Sequence, residues 1–455
     1  MNSSPIAAIA TPNAAGGIGI VRISGKGALE LASRVFTPVG SKTPDKMNGY
    51  TAAFGKVHDS NGDIDEAVCL VFRAPKSYTG EDVAELSCHG GLFVMQKVLR
   101  AVLEAGAAPA PAGEFTKRAF LNGRISLDEA EAVMGIISAQ GEQAAKAALG
   151  ALEGSVSREI DEVCASLTAS SAQLAAWVDY PYDEIEELAP EKLSATLISA
   201  REKLAGLIKR FDSGKAIMQG VNTVIAGKPN TGKSTLMNLL SGYERSIVTD
   251  IAGTTRDVVE QTVRVGDVVL KLSDTAGIHE TDDTVESIGV KLAMKQLQQA
   301  ELVLAVLDGS EPLSDEDREL LIQCKNSKTL VIINKDDLGC KIDEDEISDL
   351  CSTHISISAK TGAGRQKLEQ AICSLLGTGD FDPSQATLTT ERQRACVQKA
   401  VICIDEANDA LISGMTLDAV TVSVEDAIGA LLELCGKTAS ENVVNEVFAR
   451  FCVGK

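Results

Sequence analysis

Gly227-Lys228-Pro229-Asn230-Thr231-Gly232-Lys233-Ser234 decides how this 455-residue chain is read. The apolar residues 221–226 before it form a strand pattern and residues 235–240 after it a helix pattern. The Gly-x4-Gly-Lys-Ser motif therefore stands in the strand–loop–helix setting that a phosphate loop needs. Its glycines let backbone amides turn inward around phosphate oxygens, and the helix N-terminus adds the positive end of its dipole. In that setting Lys233 reaches the β- and γ-phosphates and acts as a catalytic cation, Ser234 ligates Mg2+, and Asn230, Thr231, Gly232 and Thr235 complete the nucleotide contacts.

Working outward, residues 268–272 read as a strand running into Asp274-Thr275-Ala276-Gly277. Asp274 can reach the Mg2+ shell and Gly277 can offer its amide to a γ-phosphate. Residues 330–333 are a second apolar strand, ending in Asn334-Lys335-Asp336-Asp337, and Ser358-Ala359-Lys360 follows a third. The Asp337 carboxylate can accept both the N1 and N2 hydrogens of guanine, a donor pair that adenine lacks. Motifs on successive strand ends of one sheet point to the crevice where open α/β sheets bind ligands. The expected domain is thus an α/β P-loop GTPase. Ile278 stands where many small GTPases carry a glutamine that orients the attacking water. An aliphatic side chain cannot do this, and His279, Glu280 and Glu286 are equal candidates on geometry alone.

The remainder frames this domain. Residues 1–118 read as an α+β segment with strands at Ile18–Ser24 and 67–72. From about Ser126 the chain turns Ala-, Leu- and Glu-rich, with Leu193, Leu197, Leu204, Leu207, Ile208 and Phe211 on one helical face. After Gly377-Thr378-Gly379-Asp380 it returns to helix, including 391–411 and 424–434. The expectation is four segments: 1–118 N-terminal, 119–215 helical, 216–378 GTPase and 379–455 helical, the α/β domain being inserted into one all-α domain.

Composition excludes several classes. Net charge is −21, with 12 basic against 11 acidic residues in 1–120 and the excess of acid beyond it. An acidic body repels nucleic-acid backbones, so any RNA role rests on local basic patches or a partner. Eleven scattered cysteines without a Cys-x-x-Cys pair argue against a disulfide framework or zinc site, and fit a reducing cytoplasm. No membrane association is expected: no stretch approaches the roughly 18 apolar residues of a spanning helix, and the N-terminus lacks a signal-peptide pattern.

Thr249-Asp250-Ile251-Ala252-Gly253-Thr254-Thr255-Arg256-Asp257 resembles the first switch of the potassium-activated GTPases. With Gly80-Glu81-Asp82, His89-Gly90-Gly91, Gly113-Glu114-Phe115, Ala119-Phe120-Leu121-Asn122-Gly123 and the ending Phe451-Cys452-Val453-Gly454-Lys455, the whole chain resembles the MnmE (TrmE) family of tRNA modification GTPases. The resemblance implies K+ held by Asn230, Thr249, Ile251 and Thr254, a second Mg2+ ligand in Thr255, and nucleotide contacts along 249–255. It also selects Glu286 as the water-positioning acid.

For the N-terminal segment the resemblance implies folate binding and dimerisation. Arg22, Glu81, Arg124 and Lys455 match the positions that hold 5-formyl- or 5,10-methylene-tetrahydrofolate. A pterin edge suits a Glu carboxylate, and the carboxylates of a folate tail suit Arg and Lys. Arg124 stands where the family often has Lys, which keeps the charge but changes the contact geometry. For Cys452, a nucleophilic or carrier role in the one-carbon step and a packing or recognition role stand level.

The implied function is GTP hydrolysis that drives addition of a carboxymethylaminomethyl or aminomethyl group to C5 of the tRNA wobble uridine. No Gly-x-Gly-x-x-Gly follows a strand, so FAD is expected on a separate MnmG-type flavoprotein that joins the homodimer in a heterotetramer. Two alternatives are a ribosome-assembly GTPase, which usually carries a second G domain or a basic RNA-binding domain, and a non-catalytic folate-sensing scaffold.

Overall fold

Alternation of apolar residues with period two dictates the first sheet. The computed structural model describes residues 4–179, 190–242, 261–273, 297, 299–325 and 327–454, and its contacts divide the chain into two compact units. One unit comprises Met1–Met134 with Ile428–Lys455, the other Gly135–Ala427.

In the first unit β1 (Ile6–Ile9), β2 (Ile18–Ser24), β3 (Phe36–Pro38), β4 (Thr51–Asp59), β5 (Gly62–Phe72), β6 (Val83–His89) and β7 (Ala108–Pro109) form a seven-stranded sheet of order β3-β4-β5-β6-β2-β1-β7. Val21, Ile23, Cys69, Val71, Ala84, Leu86 and Cys88 point to one face and pack under helices Ala28–Val35 and Leu92–Glu104. Each fully buried Val, Ile or Leu side chain among them contributes roughly 1.5–3 kcal/mol. The antiparallel β2–β6 register sets Arg22 opposite Glu85, on the face away from that core. Helices Glu114–Leu121 and Glu441–Ala449 belong to the same unit.

The second unit holds β8 (Val221–Ala226), β9 (Gln261–Val265), β10 (Val268–Ser273), β11 (Leu302–Asp308), β12 (Thr329–Asn334) and β13 (His354–Ser356), in the order β13-β12-β11-β8-β10-β9. All neighbours run parallel except β9 and β10. β11 reads Leu-Val-Leu-Ala-Val-Leu without alternation because both of its faces are covered. Leu302, Leu304 and Val306 pack on one side, Ala305 and Leu307 on the other. The chain reverses direction across the sheet between β8 and β11, so the carboxyl ends of these strands flank the crevice.

Long helices Ser155–Asp179, Pro190–Gln219 and Glu391–Ile412 complete this unit; Thr390 caps the last by accepting from Gln393 N. Helix Leu417–Leu434 starts seven residues before the expected 424. Val420-Thr421-Val422-Ser423-Val424 looks like a strand by residue type, yet Val420, Val424 and Ala427 form a buried helical stripe. The Thr421 hydroxyl donates to Leu417 O at 3.0 Å. All eleven cysteines are free thiols, and among the described residues no helix is long and apolar enough to cross a membrane.

Candidate functional site

The phosphate loop leaves β8 and enters helix Lys233–Ser241. Gly227 has φ +152° and Gly232 φ +97°, a region that L side chains rarely adopt. Space forbids side chains as well: a Cβ on Gly227 would collide with Val306 O, and one on Gly232 with the Asn334 amide. Asn230 also has a positive φ, +65°, and its side chain is exposed. The Lys233 ammonium donates to Gly227 O at 2.7 Å and Lys228 O at 2.6 Å, within its own loop. Thr231, 2% exposed, donates to Lys228 O at 3.0 Å, while Ser234 and Thr235 are exposed on the first helical turn.

Asn334 ties this loop to the Ser358–Lys360 segment. It is buried, its Nδ2 donates to Thr231 O at 2.8 Å, and its Oδ1 accepts from Ala359 N at 2.9 Å. Three segments more than 20 residues apart are thus fixed by one amide. Asp337 is exposed, and the buried Ser358 hydroxyl donates to its Oδ1 at 2.6 Å, which orients the carboxylate. Asp336 anchors its turn through its amide on Ile357 O, and Lys360 is exposed beside it. Lys335, at φ +65°, forms an ion pair with Asp308 at the end of β11. Burial opposes ionisation of Asp308, but the Lys335 ammonium and the bonds from Ser310 outweigh it and hold the carboxyl below the usual carboxylate range. Thr249, Asp250, Ile251, Ala252, Gly253, Thr254, Thr255, Asp274, Thr275, Ala276, Gly277 and Glu286 lie outside the described residues, as does Lys455.

A second polar cluster occupies the first unit. Arg22 donates through Nε to Glu85 Oε1 at 2.8 Å and through Nη1 to Gly454 O at 3.3 Å, with its guanidinium 5.5 Å from the ring centres of Tyr78 and Phe115. Glu81 accepts from Ser24 Oγ at 2.8 Å and from Arg118, which reaches both of its oxygens at 3.1 and 3.3 Å. Arg22 and Glu81 are therefore each held by another charged partner. Arg124 is exposed at the end of the turn that follows helix Glu114–Leu121. The chain terminus docks here: the Phe451 ring packs tilted against Phe448, Cys452 O accepts from Gly113 N at 3.3 Å, and a Cβ on Gly454 would strike Ile9 O. The Cys452 side chain is exposed.

Sequence reading missed Glu85, Arg118, Asp308, Ser314 and Asp317 as partners of the motif residues. One signal was available for Arg118, since it lies three residues after Phe115 on a helix whose Phe115 and Ala119 are fully buried.

A family model described as the MnmE helical domain matches residues 127–452, and one described as the GTP-binding protein TrmE N-terminus matches residues 5–124. The chain is 39% identical over 458 residues to the tRNA modification GTPase MnmE of Acetivibrio thermocellus, covering 99% of each chain. It is 40% identical over 453 residues to that of Clostridioides difficile, again covering 99% of both. For Lactococcus lactis subsp. lactis the figures are 41% over 452 residues, 99% of this chain and 98% of the relative.

Proposed function

This chain belongs to the MnmE family of tRNA modification GTPases, and on that premise we propose that its hydrolysis of GTP drives modification of the wobble uridine at C5, with the one-carbon unit taken from a reduced folate on the N-terminal segment. GTP hydrolysis and action on tRNA come with the family. The observation that supports the nucleotide half is Asn334, whose two bonds tie the phosphate loop to the Ser358–Lys360 segment, while Ser358 holds the Asp337 carboxylate.

The loop suits a triphosphate because Gly227 and Gly232 leave no room for side chains, so that backbone amides meet the ligand. Lys233 would exchange its two loop carbonyls for phosphate oxygens, and the exposed Ser234 hydroxyl would hold Mg2+ together with Thr255. Bound Mg2+ neutralises charge on the phosphate oxygens. Asn230 offers an exposed amide oxygen, a hard ligand fit for K+, to be joined by Thr249, Ile251 and Thr254. Such a cation opposes the charge that builds on the phosphates. GTP turnover should then rise at least about tenfold in K+ over Na+ at equal ionic strength, a match that removes screening as the cause. Equal rates in the two salts would exclude the cation site.

The folate half is supported by the donor set of the first unit: an oriented Glu81 carboxylate for a pterin edge, and the Arg22 cation for the carboxylate tail, with Arg124 and Lys455 as further cations. The docked terminus brings Cys452 to the same unit, where recognition and one-carbon chemistry both remain proposals. Titration of the intact protein with 5-formyltetrahydrofolate should give binding heat. Arg22→Ala should weaken it by roughly 10–150-fold, the equivalent of one charge-assisted contact at about 1.5–3 kcal/mol. No heat with the unsubstituted protein would retire the folate reading.

We propose further that the protein acts in the cytoplasm as a homodimer, paired with a flavoprotein that supplies FAD, since this chain has no dinucleotide fingerprint. A ribosome-assembly role finds no support in the acidic helical segments, which lack a basic RNA-binding domain.

A further inference from the structure

We propose that Lys228, the first variable residue of the phosphate loop, is a positioning residue for GTP that works through Asp317 rather than by touching the nucleotide. Its ammonium lies 2.9 Å from Asp317 Oδ2 and 2.7 Å from Ser314 Oγ. Both partners belong to the capping box that starts helix Asp315–Gln323: Ser314 accepts from Asp317 N, and Asp317 Oδ2 accepts from Ser314 N at 3.1 Å. Asp317 is 4% exposed, and its Oδ1 has no hydrogen-bond partner among the described residues, so Lys228 is the cation that compensates a buried carboxylate. That carboxylate holds the Lys228 ammonium above the usual lysine range.

The backbone of Lys228 explains why this matters to the nucleotide. Its carbonyl accepts from both Thr231 Oγ1 and the Lys233 ammonium. Fixing the Lys228 side chain thus fixes the carbonyl that holds Thr231, and with it the turn of the phosphate loop, after Lys233 has left that carbonyl for a phosphate. At the other end of the same segment, Asp308 pairs with Lys335 of the base-reading loop, and Gly309 N donates to Asn334 O at 2.8 Å. Residues 308–317 therefore form a brace, joined at Asp308 to the base-reading loop and at Ser314 and Asp317 to the phosphate loop. A short side chain at 228 would leave the base-reading end attached and the phosphate end loose.

The test compares Lys228→Met, Lys228→Arg, Asp317→Asn and the pair Lys228→Met/Asp317→Asn in the full-length protein. Dissociation of a fluorescent GDP is followed by stopped flow, kcat is measured at saturating GTP, and the thermal midpoint is recorded for each. Lys228→Met should speed dissociation by about tenfold, within the range of a charged hydrogen bond, with kcat changed less than threefold, and Lys228→Arg should restore slow dissociation. Lys228→Met also leaves a buried carboxylate uncompensated and lowers the midpoint. In the double variant that charge is gone, so the midpoint should recover while dissociation stays fast. Dissociation that recovers with the midpoint would overturn the proposal, because the lysine would then serve only folding. Unchanged dissociation in Lys228→Met would overturn it too, as would an Asp317→Asn protein with wild-type dissociation, which would mean Lys228 acts on the phosphates directly.

Discussion

Asp337→Asn should convert a guanine-selective protein into one that prefers xanthine nucleotides. In the proposed reading the carboxylate accepts two guanine hydrogens at once, and the Ser358 hydroxyl at 2.6 Å from Oδ1 orients it. An asparagine keeps one acceptor but turns a donor towards the guanine amino group, donor against donor. Xanthine carries a carbonyl at that position and accepts from the new amide. Two charged hydrogen bonds at about 1.5–3 kcal/mol each are at stake, so GTP affinity should fall roughly 10²–10⁴-fold while XTP affinity rises. Competition of GTP and XTP against a labelled nucleotide measures both. A variant that still binds GTP far better than XTP would show that Asp337 does not read the base.

Glu286→Ala should separate binding from hydrolysis. Ile278 after the Asp-Thr-Ala-Gly motif cannot orient water, and a carboxylate that does so acts in the transition state rather than in ground-state binding. GTP affinity should stay within about threefold, while kcat falls on the order of 10²–10³-fold, in the range of a general-base contribution. Steady-state hydrolysis at saturating GTP in K+ with Mg2+ gives kcat, and equilibrium titration gives the affinity. Parallel loss of both would point to a damaged fold, and loss of neither would return the role to His279 or Glu280.

The placement of the motifs was legible wherever they are contiguous. The phosphate loop, Asn334–Asp337 and Ser358–Lys360 are short strings that follow strands β8, β12 and β13, as the runs before them announce. Their supports were not legible, because strand order decides them. Arg22 meets Glu85 through an antiparallel register 63 residues wide. Asn334 meets Thr231 because β11 separates β12 from β8. Lys228 meets Asp317 because the chain crosses back over β8 before entering β11. The helix start at Leu417 rather than 424 was not legible, because the β-branched residues at 420–424 join the helix through a buried stripe at Val420, Val424 and Ala427 that outweighs their weak local preference.

The central claim is that hydrolysis by this chain, and not nucleotide binding alone, drives the change at the wobble uridine. Mass spectrometry of tRNA nucleosides tests it most directly, in cells lacking the protein and in the same cells supplied with wild type or Glu286→Ala. The account predicts that the C5-modified wobble uridines disappear without the protein, return with wild type, and stay absent with Glu286→Ala although that variant still binds GTP. Full modification by a Glu286→Ala protein that no longer hydrolyses GTP, or unchanged wobble nucleosides in cells without the chain, would contradict it.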